Sequence, residues 1–101
     1  MSYVAEGSAK VWGAVNGTSN AILGSFNVTS VTDNGTGLHS LNYTSAMSDA
    51  NYATQTSHLE NQLNCSYNLV ATGSVRIDSR KDDGTLLDIS NKSGTVFGDL
   101  A

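Results

Sequence analysis

The stretch Ser25-Phe26-Asn27-Val28-Thr29-Ser30-Val31-Thr32-Asp33-Asn34-Gly35-Thr36-Gly37-Leu38-His39-Ser40-Leu41-Asn42-Tyr43-Thr44 alternates on both sides of a glycine-bearing turn. Before the turn, Phe26, Val28 and Ser30 fall on one side and Asn27 and Thr29 on the other; after it, Leu41 and Tyr43 share a face. A period of two over β-branched and aromatic residues is the pattern of a half-buried strand. Asp33-Asn34-Gly35-Thr36-Gly37 supplies the residues that accept positive φ, as hairpin turns require. The stretch therefore predicts strands over 25–32 and 38–44, closed as an antiparallel hairpin across 33–37. His39, alternating with Leu38, is expected to face solvent.

The same punctuation recurs outward from this hairpin. Asn16-Gly17-Thr18 follows a strand-like Lys10-Val11-Trp12-Gly13-Ala14-Val15, and Lys81-Asp82-Asp83-Gly84-Thr85 follows Ser74-Val75-Arg76-Ile77-Asp78-Ser79, in which Val75 and Ile77 point inward. Further strands are expected near 51–57, over Leu69-Val70-Ala71, over 85–90 and through Thr95-Val96-Phe97. Residues 58–68 have the weakest pattern and read as a loop or one irregular turn. Seven or eight short strands separated by turns are the signature of an antiparallel sandwich or barrel. No segment offers the crossover helix that a parallel sheet needs.

Composition agrees. Of 101 residues, 14% are charged and 39% apolar, and proline is absent; serine, threonine, asparagine and glycine make up the difference from an ordinary domain. The length suits one domain, and the longest apolar runs, such as Ala21-Ile22-Leu23, are far too short to span a bilayer as a helix. The net charge of −4 argues against binding nucleic-acid phosphate. Arg76, Arg80 and Lys81 are locally balanced by Asp78, Asp82 and Asp83. Residues 1–8 show neither a basic nor an apolar signal region, and Cys65 stands alone, so the chain is expected to fold in a reducing cytosol without a disulfide. The six Asn-X-Ser/Thr triplets, at Asn16, Asn27, Asn34, Asn42, Asn64 and Asn91, are then chance products of composition.

Chemistry-bearing residues are few. His39 and His58 lack metal-ligand spacing, Cys65 lacks a neighbouring base and reads as a small buried hydrophobe, and the turn aspartates are explained by backbone hydrogen bonding. No enzyme, metal or cofactor is expected. Trp12 and Tyr52, each placed inside a strand, read as core or interface anchors. Tyr67 lies in the unpatterned stretch with Asn64 and Asn68, where aromatic faces and amides can stack on sugars and bind their hydroxyls. With apolar content below average and no staple, the domain is expected to gain stability by sharing a core with other copies.

Ala9-Lys10-Val11-Trp12, Asn16-Gly17-Thr18, the run Ser25 to Gly37, Leu41 to Met47, Asp49 to Ala53 and Ser74 to Ile77 resemble a small β domain found at the C-terminus of tail-fibre-like structural proteins of tailed phages and prophages. The resemblance covers most of the chain, about residues 8–96, and is weakest over 55–70. It implies the exterior of a virion, no cofactor and no catalytic residues. Such tips follow a long shaft, whereas this chain opens at Met1 after only a short leader; that departure raises an alternative, a capsid decoration (cement) or head-fibre protein. The expectation is thus an all-β antiparallel sandwich over 9–101 with an N-terminal arm over 1–8, forming a homo-oligomer, a trimer. It would be a non-enzymatic virion protein in contact with other virion proteins and engaging host-surface glycan or protein like a receptor-binding knob. His58, Asn61, Asn64 and Tyr67 are the expected ligand contacts.

Overall fold

The computed structural model describes residues 8–59 and 63–101, and the chain there is all-β. Its eight strands are β1 (Val11–Asn16), β2 (Ala21–Phe26), β3 (Val28–Gly35), β4 (Leu38–Tyr43), β5 (Ala53–His58), β6 (Leu63–Asn68), β7 (Ser74–Lys81) and β8 (Lys92–Phe97). They form two antiparallel four-stranded sheets, β2-β1-β8-β5 and β3-β4-β7-β6, packed as a sandwich. The arm expected over 1–8 lies, apart from Ser8, outside the described residues, as does Asn61.

The hairpin forms as expected, with Gly35 paired to Leu38 across Thr36-Gly37. The strand before it does not run unbroken over 25–32. Asn27 takes φ 59°, a left-handed conformation that asparagine tolerates better than most residues, and the chain turns from one sheet to the other there. Its side chain holds the corner: Nδ2 donates to Ser45 O at 2.9 Å and Lys10 O at 3.2 Å, and Oδ1 accepts from Ser45 N at 2.7 Å. The alternation seen in the sequence thus spans the ends of two strands.

Three other expectations are corrected. Residues 58–68 hold the end of β5 and all of β6, because hydroxyl and amide residues satisfy edge strands whose outer side needs no apolar pattern. Leu69-Val70-Ala71 is a connection, since Leu69 at φ 47° ends β6. Residues 85–90 contain no strand; Leu87 N donates to Ser79 O, Gly17 N donates to Ile89 O, and the buried Ile89 anchors the segment.

The core is built from Val11, Val15 and Val96 of the first sheet against Leu41, Tyr43, Val75 and Ile77 of the second, with Met47 beside them. Gly13 and Gly94 stand opposite each other on the inner side of the first sheet, and Leu41 and Ile77 fill the space they leave. A Cβ on Gly94 would lie 2.6 Å from Ile77 Cδ1 and 3.4 Å from Leu41 Cδ1. Gly94→Val is therefore expected to overpack this interface by about 2 kcal/mol, read as a lower urea midpoint. Gly94→Ala, which meets only the end of a flexible side chain, should lose less.

Candidate functional site

Side chains alternate across the first sheet, so residues paired directly across its strands share a face. Val11, Val15, Lys92 and Val96 point inward and are fully buried. The intervening positions form the outer face. One row runs Phe26, Trp12, Thr95, Gln55 across all four strands; the next runs Gly24, Ala14, Ser93, Ser57. Neighbouring strands lie about 4.8 Å apart, so each row spans roughly 14 Å.

Trp12 is 42% exposed and Phe26 49%, so of the two roles expected of Trp12, core or interface anchor, the core is not the one it fills. The signal was available: Val11, Gly13 and Val15 occupy the inward positions of β1, and strict alternation leaves Trp12 outside. The indole reaches diagonally over Gly24, where Cη2 and Cζ3 are each 3.3 Å from the point a Cβ would occupy. A side chain at that position would have to push the ring edge aside by a few tenths of an ångström; glycine leaves it room. Leu23, at the bulge that shifts the β1–β2 register, adds a further exposed apolar side chain at 53%. Beyond this apolar corner the two rows carry hydroxyl and amide side chains, with Ser57 Oγ and Ser93 Oγ 2.6 Å apart, and past them the half-buried Phe97 pairs with Ala53. The four strands carry a single lysine, Lys92, and a single histidine, His58; the two are paired at an inward position, so the strands put no charge on the outer face.

The residues singled out in the unpatterned stretch are spread along the sandwich edge. His58 ends β5 opposite Lys92, Asn64 lies opposite Arg80, and Tyr67 lies opposite the inward-pointing Ile77. Three positions apart on one strand, Asn64 and Tyr67 project to opposite faces of β6. Thr56 Oγ1 donates to Cys65 O at 3.0 Å and ties the two edge strands together. Cys65 is half-buried, and burial pushes its thiol above the ordinary range, away from a reactive thiolate.

Compared with protein-family models, curated proteins and solved structures, the chain matches none.

The interior holds a second polar arrangement at the hairpin end of the sandwich. Lys92 is fully buried; its Nζ donates to Gly37 O at 3.2 Å, Ile77 O at 3.3 Å and Ser79 Oγ at 3.2 Å. Burial lowers its pKa, and Cys65, Asp88 and Asp78 oppose that only in part. His39, expected to face solvent, is instead 1% exposed, because the period that puts Leu41 and Tyr43 inside puts His39 there too. His39 Nε2 lies 2.8 Å from Asn20 Oδ1, and Asn20 Nδ2 donates to Asp33 Oδ2 at 3.1 Å, so the ring nitrogen is the donor of the first bond. Burial, aided by the charge of Lys92, lowers the His39 pKa and keeps the ring neutral.

These groups brace the frame. Each described bond they make runs to backbone or to a structural side chain, and the described residues include no cluster able to hold a metal ion. Stability linked to His39 is fully present above about pH 6.5, where the unfolded ring is also neutral. It is lost as pH falls through the lowered folded pKa, since the unfolded state then binds more protons. Thermal scans between pH 7 and 5 should therefore show a falling midpoint in the native chain and a flatter profile in His39→Gln.

Proposed function

We propose that this chain is a non-catalytic adhesive module, displayed as a homo-oligomer on the outside of a tailed-phage particle, that engages the host surface through the outer face of its first sheet. The observation that carries the reading is the exposed pair Trp12 and Phe26, directly opposite each other across β1 and β2, with hydroxyl and amide side chains continuing the row. Exposed apolar clusters with a polar rim mark interaction surfaces, and this one sits on paired strands, the rigid part of the domain. The buried Lys92 and His39 are engaged in holding that scaffold. The sequence resemblance to tail-fibre-like virion domains supports a place on the particle exterior.

The experiment is binding of the fluorescently labelled chain to a panel of bacterial cells. The native chain should bind at least one strain. Trp12→Ala combined with Phe26→Ser should reduce binding at least tenfold, and Asp82→Asn, in an exposed turn at the far end of β7, should leave it unchanged. Absence of cell binding across the panel, together with capture by phage heads that fails on deletion of residues 2–8, would overturn this reading in favour of capsid decoration.

A further inference from the structure

We infer that the Trp12 face takes a neutral glycan, the indole stacking on the apolar face of a hexopyranose ring while Thr95, Gln55, Ser93 and Ser57 meet its hydroxyls. This rests on the adhesive reading above and names the ligand class for the same surface. Three features of the face select that class.

The first is shape. The edge of the Trp12 indole reaches over Gly24, and Ala14 beside it carries only a methyl group, so the 42% exposed ring stands on an open stretch of the sheet. Stacking of this kind needs a flat partner whose C–H bonds meet the electron-rich ring, which a pyranose supplies.

The second is charge. The outward positions of β1, β2, β5 and β8 carry none, and the whole chain is at −4. An acidic sugar or a phosphate would lose hydration here without gaining a counter-charge, and the protein's own field would repel it.

The third is the polar row continuing from the ring. Exposed Gln55 and Ser57, with the half-buried Thr95 and Ser93, lie within roughly 14 Å of the aromatic corner. Sugar hydroxyls both donate and accept along the whole row.

Trp12 is the only tryptophan in the chain, so its emission reports this site directly. The full chain is titrated with dextran, yeast mannan, a soluble β-glucan and a galactan, and with dextran sulfate as the charged arm. A saturable shift or quench with at least one neutral glycan, at least tenfold weaker with dextran sulfate, is the expected result. Gly24→Ser, which displaces the edge of the ring, should weaken binding about threefold, with the far-ultraviolet spectrum unchanged; Gln55→Ala should weaken it about threefold. No response to any neutral glycan overturns the inference. So does an emission shift that grows with protein concentration in the absence of sugar, which assigns the face to a second copy. If cells bind through Trp12 and no neutral glycan perturbs its emission, the sugar assignment falls and the adhesive reading stands. If a neutral glycan binds at Trp12 and no cell does, the sugar site stands and the adhesive reading falls.

Discussion

Gly37→Ala is expected to destabilise the domain by about 3–4 kcal/mol, from roughly 1–2 for the left-handed backbone and about 2 for the collision. For a chain of this length that lowers the thermal midpoint by roughly 15 °C or more. The residue sits at φ 72°, and a Cβ there would lie 2.6 Å from Ser79 O and 2.9 Å from Leu87 N. Both contacts are backbone, so neither can swing aside. Gly37 is also a hydrogen-bonding hub: its N–H donates to Asp88 Oδ1 at 2.6 Å, and its carbonyl accepts from Ser79 N at 2.8 Å and Lys92 Nζ at 3.2 Å. Gly84 provides the control. It too has positive φ, at 89°, but nothing lies within 4 Å of its Cβ position. Gly84→Ala should cost only about 1 kcal/mol from the backbone, and the difference between the two variants measures the collision. Urea unfolding of both gives the answer; equal losses would show that the hub carries no steric load.

Lys92 gives the second large effect. Lys92→Ala removes a fully buried four-carbon stem and three hydrogen bonds, and should destabilise by about 3 kcal/mol. Lys92→Met keeps the volume and drops the charge, and should retain most of the stability, since uncharged residues of similar shape commonly replace buried ions without loss. Two of the three acceptors left behind keep a partner: Gly37 O still accepts from Ser79 N, and Ser79 Oγ still donates to Leu87 O.

The pH dependence separates these variants further. The folded pKa of Lys92 is lowered, so between that value and about 10.5 the unfolded chain binds more protons, and this residue makes stability rise with pH. Cys65, Tyr43 and Tyr52 act in the opposite sense, because burial raises their pKa values and the unfolded state ionises first. The informative quantity is the native profile minus that of Lys92→Met, which should increase as pH rises through the alkaline range. A flat difference would mean that Lys92 keeps the ordinary lysine pKa in the folded state.

Tyr52 shows how a single hydroxyl can close one edge of such a fold. Its oxygen lies 2.6 Å from Ala71 O, 3.0 Å from Ser74 O and 2.9 Å from Tyr43 Oη. With one proton it donates to a carbonyl and accepts from Tyr43. That arrangement fastens the segment before β5 to the β6–β7 connection and lets a buried tyrosine sit in the core with its polar end satisfied.

Much of the architecture was legible because it depends on local rules. Alternation with glycine-bearing turns announced an all-β antiparallel fold, the hairpin closing over 33–37, and the inward pair Val75 and Ile77, all of which the structure contains. Alternation also held what was overlooked: counted from Leu41 and Tyr43 it places His39 inside, and counted from Val11 and Val15 it places Trp12 outside. The edge strand β6 escaped notice because an edge buries little and so imposes little pattern on its sequence.

Other features were written only in three dimensions. Asn27 continues an alternating run, yet a left-handed turn there carries the chain between sheets, held by bonds of its side chain to Lys10 O and to Ser45 O and N. A lysine reads as surface until Gly37, Ile77 and Ser79 converge on its ammonium. The row from Phe26 to Gln55 joins residues from four strands far apart in the chain. Local chemistry determined which segments extend and where they turn, because those preferences act over a few bonds. Which face is covered, and which side chains meet on the open one, was decided by the tertiary structure, because burial and register are properties of strands brought together.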